Sequence, residues 1–388
     1  MTAPSPLHVV ICGGGKTGHL NAVLFKQLPG VKVSILTGSK PLIDRHRKGD
    51  CRITAQLPDG GQITAAPDAV SDDAVEVAAD ADLVIVTVPA HVREAVLQSL
   101  RPALPTDKPV YVGAIPGFCG FDWLAEKVFA GQPNVVIWGM KDVPHTAFEL
   151  APGVSIRMGG AKSRLHIAAH ARETDENRQN LHTILQRLYD APVDLLDNYL
   201  EITLTPGNPI MHSSAIYGLI GPYAQWHQRP FNWRVCWWTD STELSAYFLE
   251  RSDEESRALC RAIEGRLKVD LSSVDPLKKE ITDAYGDQIR DPHTMLGVLR
   301  TNRAYEAIEA PLVPAASGDG YEIDRESRAF HEDIAFGLAL LVEMGRRLSV
   351  PMPHIEEIFG WCVAHMGGLR KSALDYFPEH WPAERSIA

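Results

Sequence analysis

The chain has 388 residues, of which 45% are hydrophobic and 22% charged, with 30 glycines and 27 prolines. Domains usually run to about 100–200 residues, so this length predicts two domains sharing one site, and the composition excludes a long disordered or collagen-like tract. Lys plus Arg number 38 against 49 Asp plus Glu, a net charge of −11. That sign argues against nucleic acid and against an anionic membrane surface as partners.

Six cysteines (Cys12, Cys51, Cys119, Cys236, Cys260 and Cys362) are scattered, with no C-x-x-C and no Cys/His zinc spacing. They read as reduced packing residues of a cytoplasmic protein that holds no metal. Residues 1–6 are too few and too polar for a signal peptide, and no apolar run reaches the ~18 residues of a membrane span. No repeat of solenoid or propeller period is present.

In chain order, the apolar run at residues 8–12 predicts a strand, the glycines of residues 13–18 a turn, and residues 19–25 a helix. Further strands are expected at residues 31–37, near Ile53 and Gln62, and at residues 81–88, where the run reads as buried on both faces. Residues 108–114 and 134–139 continue the series. Strands alternating with helices predict a parallel, doubly wound Rossmann-type α/β domain over residues 1–200. Helical spacing then dominates, at residues 210–218, 242–268, 276–285, 325–348 and 354–364, so residues 201–388 are expected to form an all-α domain. The Pro/Gly/Ser stretch between Leu312 and Asp324 reads as a connecting loop, with a lid as the alternative.

The turn Gly13-x-Gly15-Lys16-Thr17-Gly18 stands between a strand and a helix, where dinucleotide binding has a physical basis. The first glycine permits a tight bend, the second lets a pyrophosphate approach the backbone, and the third lets helix and strand pack closely. An NAD site usually has a carboxylate at the end of the second strand, but here the chain reads Thr37-Gly-Ser39-Lys40. Ser39, Lys40 and Arg45 are suited to a 2′-phosphate, so NADP(H) is the expected cofactor, with NAD(H) as the alternative. Val88-Pro89-Ala90 closes another strand at the same carboxyl edge, where the ribose and nicotinamide should lie.

Asn208 suits an N-cap and Pro209 the first helical position, which places His212 in the first turn of the second domain's opening helix. Taken alone it is either structural or an acid/base, and proton transfer would require a carboxylate partner. Far downstream, Arg328 could clamp a substrate carboxylate and Asp333 could partner His212, whereas spacing alone favours a capped and solvated first turn. Trp233, Trp237 and Trp238 are core or pocket wall.

Together these pieces resemble the octopine/nopaline (opine) dehydrogenase family. The resemblance rests on residues 12–19, 86–90 and 115–121, on the His212 helix start, on residues 301–305 and on residues 328–333. It implies a Rossmann domain carrying the nicotinamide cofactor and a helical domain closing over it, with the site in the cleft between them. It also implies condensation of an α-keto acid with an amino acid's amine to an imine, which hydride reduces to a secondary amine dicarboxylate. His212 matches the family's catalytic histidine, Asp333 its aspartate partner, and Arg328 the arginine that holds a substrate carboxylate.

One departure is Phe118-Cys119, where animal members carry a substrate-contacting glutamine. Residues 141–145 follow the expected last strand of the first domain, which makes Asp142 and His145 candidates for the amino-donor pocket. Asp142 there would favour a basic donor, and Phe118 with the tryptophans an apolar one. Two alternatives stand beside this reading. One is a ketopantoate- or 3-hydroxyacid-type reductase, which generally uses a lysine where this chain has His212; the other is a dinucleotide sensor without turnover. Homodimerisation through the helical domain is compatible with each.

Overall fold

The computed structural model describes residues 6–382 apart from Pro206 and residues 225–229. Most of the polar leader, and Pro206 ahead of the His212 helix, therefore lie outside the described residues. The chain divides into two compact units, Met1–Thr203 and Leu204–Ala388. No helix among the described residues is long and apolar enough to cross a membrane. No cluster of three or more His, Cys, Asp or Glu among them could hold a metal ion. The six cysteines form no disulfide, and all but the half-buried Cys236 are buried.

In the first unit the strands are β1 (Leu7–Cys12), β2 (Val31–Leu36), β3 (Ile53–Gln56), β4 (Gln62–Ala65), β5 (Ala69–Ser71), β6 (Leu83–Val86), β7 (Val110–Ala114), β8 (Val135–Met140), β9 (His145–Ala151), β10 (Ser155–Ala161), β11 (Leu165–Ala169) and β12 (Val193–Leu195). Eight of them form one sheet in the order β12-β11-β8-β7-β6-β1-β2-β5. β1, β6, β7 and β8 are buried along their whole length, because helices cover both faces and every position must then be apolar. β1 lies parallel between β2 and β6, with Cys12 in register with Leu36 on one side and Val86 on the other. That reversal of strand order opens a crevice at the carboxyl edge beside β1, the usual place for a ligand in such sheets.

The unit departs from the sequence-based expectation in three ways. The sheet is mixed, because β11 runs antiparallel to β8. The Ile53/Gln62 region is not a strand of it but the hairpin β3–β4 in a second sheet of order β4-β3-β10-β9. Finally, β8 is not the last strand of the unit: four more follow it, and His145 opens the first of them.

In the second unit the helix Asn208–Ile220 packs against the helices Glu243–Leu267 and Pro353–His365 and against the segment Ala329–Leu338. Glycines allow two of these approaches: a Cβ on Gly218 would lie 2.4 Å from the Ser245 backbone nitrogen, and one on Gly337 would lie 2.4 Å from Pro209 Cγ. Ala329–Leu338 is π-helical, ending with the Ala339 N–H donating to Ile334 O five residues back, and it runs directly into the α-helix Ala339–Leu348. The unit is helical but not all-α. The stretch expected as a loop forms a hairpin of β13 (Leu312–Pro314) and β14 (Tyr321–Ile323), paired Leu312 to Ile323.

Candidate active site

The turn after β1 has the backbone that its glycines permit. Gly13 has φ +136°, a conformation that side chains with a Cβ rarely adopt, and a Cβ on Gly18 would fall 2.1 Å from Gly13 O. Gly15 caps the helix Lys16–Phe25, and a Cβ there would meet nothing within 4 Å, so the space beside it is open. Gly15 and Lys16 are exposed and Thr17 is half-buried. His19 anchors the turn: its Nδ1 bonds Gly15 O at 3.0 Å, and its Nε2 accepts from Gly153 N at 3.0 Å. Burial holds the His19 imidazole below its ordinary pKa, consistent with a neutral ring that donates at one nitrogen and accepts at the other.

At the end of β2, Thr37 Oγ1 accepts from Ser39 N–H at 3.1 Å, and Ser39 caps the helix Lys40–Arg47. Lys40 is exposed, whereas Arg45 pairs with Asp50 at 3.3 Å and packs its stem over Gly153. Arg45 is therefore the more committed of the two basic candidates. Beyond β6, the Thr87 hydroxyl donates to Cys12 O at 3.1 Å, which brings Val88, Pro89 and Ala90 beside the glycine turn. Pro89 caps the helix Ala90–Leu100.

That helix carries a residue the sequence analysis passed over. Arg93 is buried and donates to Phe118 O at 2.7 Å, Pro116 O at 2.9 Å and Val88 O at 3.4 Å. Its guanidinium also lies 5.4 Å from the Phe118 ring centroid and 5.7 Å from that of Phe121. It thereby ties the loops after β6 and β7 together and fixes the half-buried Phe118. The signal was present, since Arg93 shares a helical stripe with the buried Leu97 and Leu100. Asp142 pairs with Lys162 at 2.7 Å, which offsets the charge expected to select a basic donor. His145 starts β9 with its ring 6.0 Å from that of Tyr189, and burial lowers its pKa to about 4.

The second constellation lies wholly within the helical unit. Gly207, with extended backbone, caps the helix instead of Asn208, so Asn208 and Pro209 are its first two residues and His212 stands one position beyond the first turn. His212 Nδ1 lies 2.9 Å from Asp333 Oδ2. The His212 side chain is 20% exposed, while that of Asp333 is only 2% exposed. Burial pushes the Asp333 carboxyl above its ordinary range, and the hydrogen bond and charge of His212 pull it back down. No described residue bonds His212 Nε2. The ring stacks on Trp237 at 4.7 Å and on Trp238 at 5.6 Å. Arg328 precedes the π-helical segment, with its side chain 55% exposed and its Nε bonded to the fully buried Glu332.

A family model described as the alpha-helical domain of NAD/NADP octopine/nopaline dehydrogenase matches residues 195–366. One described as ketopantoate reductase PanE/ApbA matches residues 9–113. The chain belongs to the octopine/nopaline dehydrogenase family. Members of this family are NAD(P)-dependent oxidoreductases acting on CH–NH bonds, and the chain is an enzyme of that class. Among relatives of this opine dehydrogenase family member, the uncharacterized protein y4xO of Sinorhizobium fredii is 54% identical over 97% of this chain and 99% of its own. The octopine dehydrogenase of Mizuhopecten yessoensis is 26% identical over 93% and 90%. An octopine dehydrogenase solved with NADH and agmatine has a TM-score of 0.81 at 22% identity, covering 93% of this chain and 90% of its own, which establishes the likeness of fold.

Proposed function

We propose that the chain catalyses NADPH-dependent reductive condensation of an α-keto acid with the amino group of an amino acid. The observation that carries this reading is the His212–Asp333 pair, held at 2.9 Å between two packed helical segments in a chain of this family. Amine and keto acid lose water to form an imine, and reduction then requires hydride at carbon and a proton at nitrogen. The bound nicotinamide supplies the hydride. His212 moves the proton through Nε2, and Asp333 holds the ring and offsets the charge it gains. Arg328, kept in place by Glu332, takes a substrate carboxylate by charge-assisted hydrogen bonds.

The first unit fits a dinucleotide: Gly13 and Gly18 build the turn, and the open space beside Gly15 faces the N-terminus of the Lys16–Phe25 helix. Preference for NADPH is supported by Ser39 and Lys40 at a strand end that has no carboxylate. On this reading, with domain limits near residue 200, the first unit takes the dinucleotide and the second carries out proton transfer. The match of residues 9–113 to a ketopantoate reductase model supports a carbonyl reductase as the second reading. His212 where such enzymes carry a lysine weighs against it. The test is His212→Ala, with turnover and dinucleotide affinity measured together. The proposal expects turnover to fall by about 10²-fold or more with affinity unchanged, and an active variant overturns it.

A further inference from the structure

His212 is held by more than its carboxylate. Trp237 and Trp238 are both buried, their rings stack on each other at 5.8 Å, and both lie nearly parallel to the imidazole, tilted from it by 22° and 19°. The turn that carries them is built with care. Cys236 N–H donates to Asp240 Oδ2 at 2.8 Å, Trp237 N–H to Ile308 O at 2.9 Å, and the Ser241 hydroxyl to Trp237 O at 2.9 Å. Trp238 is braced in turn by Tyr305, with ring centroids 5.5 Å apart.

We propose that Trp237 and Trp238 are positioning residues of the proton-transfer pair, fixing the plane of the His212 ring and stabilising the charge it carries during turnover. Asp333 holds one edge through Nδ1 but leaves the ring able to pivot about that bond. Two indole faces stacked against it remove the pivot, so that Nε2 keeps one direction. A cation within about 6 Å of an indole centroid is also attracted to the π face. A core role alone would need only the volume of the tryptophans, not ring planes matched to that of a partly exposed histidine.

This inference rests on His212 being the acid/base, and the experiment separates the two. Trp237→Phe keeps a π face, Trp237→Leu removes it, and Trp237→Met fills the space without one should the leucine variant fail to fold. With the full chain, melting temperature, dinucleotide affinity, substrate KM and kcat are measured for each. From the range of cation–π energies, kcat should fall about 2- to 30-fold in the Leu or Met variant, with KM and dinucleotide affinity little changed. The Phe variant should retain most of wild-type kcat. Equal kcat in all three variants overturns the inference, as does a loss in Phe equal to that in Met. An active His212→Ala enzyme would instead overturn the reading on which it rests.

Discussion

Pro209 lies over Gly337 so closely that a Cβ on that glycine would fall 2.4 Å from Pro209 Cγ and 2.5 Å from its Cβ. This contact sets the distance between the helix bearing His212 and the π-helical segment bearing Asp333. Overpacking a tight contact costs roughly 1–3 kcal/mol. Gly337→Ala should therefore push the two segments apart, lowering kcat much more than it weakens dinucleotide binding. Parallel kinetics and binding titrations check this.

Asp333 offers a second lever on the same pair. Asp333→Asn keeps the shape but loses the negative charge that faces His212 Nδ1. Turnover should drop by about 10²-fold or more, in keeping with the size of general acid–base effects, while dinucleotide affinity stays within error. Steady-state kinetics beside fluorescence titration of the dinucleotide measures both.

The strand end at Thr37-Gly-Ser39-Lys40 allows a cofactor test that spares the fold. Ser39 is the N-cap of its helix, a position where Asp is equally favourable. Ser39→Asp should weaken NADPH binding by about 10-fold, the scale of one charge-assisted contact, and leave NADH binding equal or tighter. Dissociation constants for both dinucleotides decide it.

Gly18→Ala would place a carbon 2.1 Å from Gly13 O, a backbone atom that cannot swing aside. The expected result is a lower melting temperature together with weaker binding of either dinucleotide. Isothermal titration and thermal denaturation of the variant measure the two effects.

Asp122 gives stability a pH dependence. Burial raises its pKa from 3.8 to about 7, and its Oδ1 has no hydrogen-bond partner among the described residues. Between those values the folded chain keeps a proton that the unfolded chain releases, so this group's contribution to stability falls as pH rises from about 4 to 7 and then levels off. Asp122→Asn should remove that slope and be the more stable protein at pH 8, by on the order of a few kcal/mol at most. His145 has the opposite sign: its pKa is lowered to about 4, so the stability from its neutral ring is lost as pH falls from about 6.5 toward 4. Comparing Asp122→Asn with wild type across pH cancels that shared contribution.

What the sequence revealed and what it hid divide along physical lines. The glycine turn was legible because positive φ at Gly13 and close approach at Gly18 are local demands that few residues can meet. The helix Glu243–Leu267 was legible through its spacing, and Thr242 caps it by bonding within its own first turn. His212 and Asp333 lie 121 residues apart, and spacing left their pairing open; family resemblance suggested it. The π-helical segment was read as ordinary helix because the apolar stripe of residues 325–348 does not record which carbonyl each N–H reaches. The β13–β14 hairpin was hidden by its own prolines and glycines. Arg93 was missed because composition counts it as surface charge, although three carbonyls and two aromatic rings take it up inside. The stacking of Trp237 and Trp238 on His212 depends on a turn whose form no periodicity encodes.

The most direct test follows NADPH oxidation with pyruvate, oxaloacetate or 2-oxoglutarate, each with and without a pool of amino acids. Oxidation should require both keto acid and amine, and a secondary amine dicarboxylate should accumulate. Oxidation at full rate with a keto acid alone would contradict the proposed function.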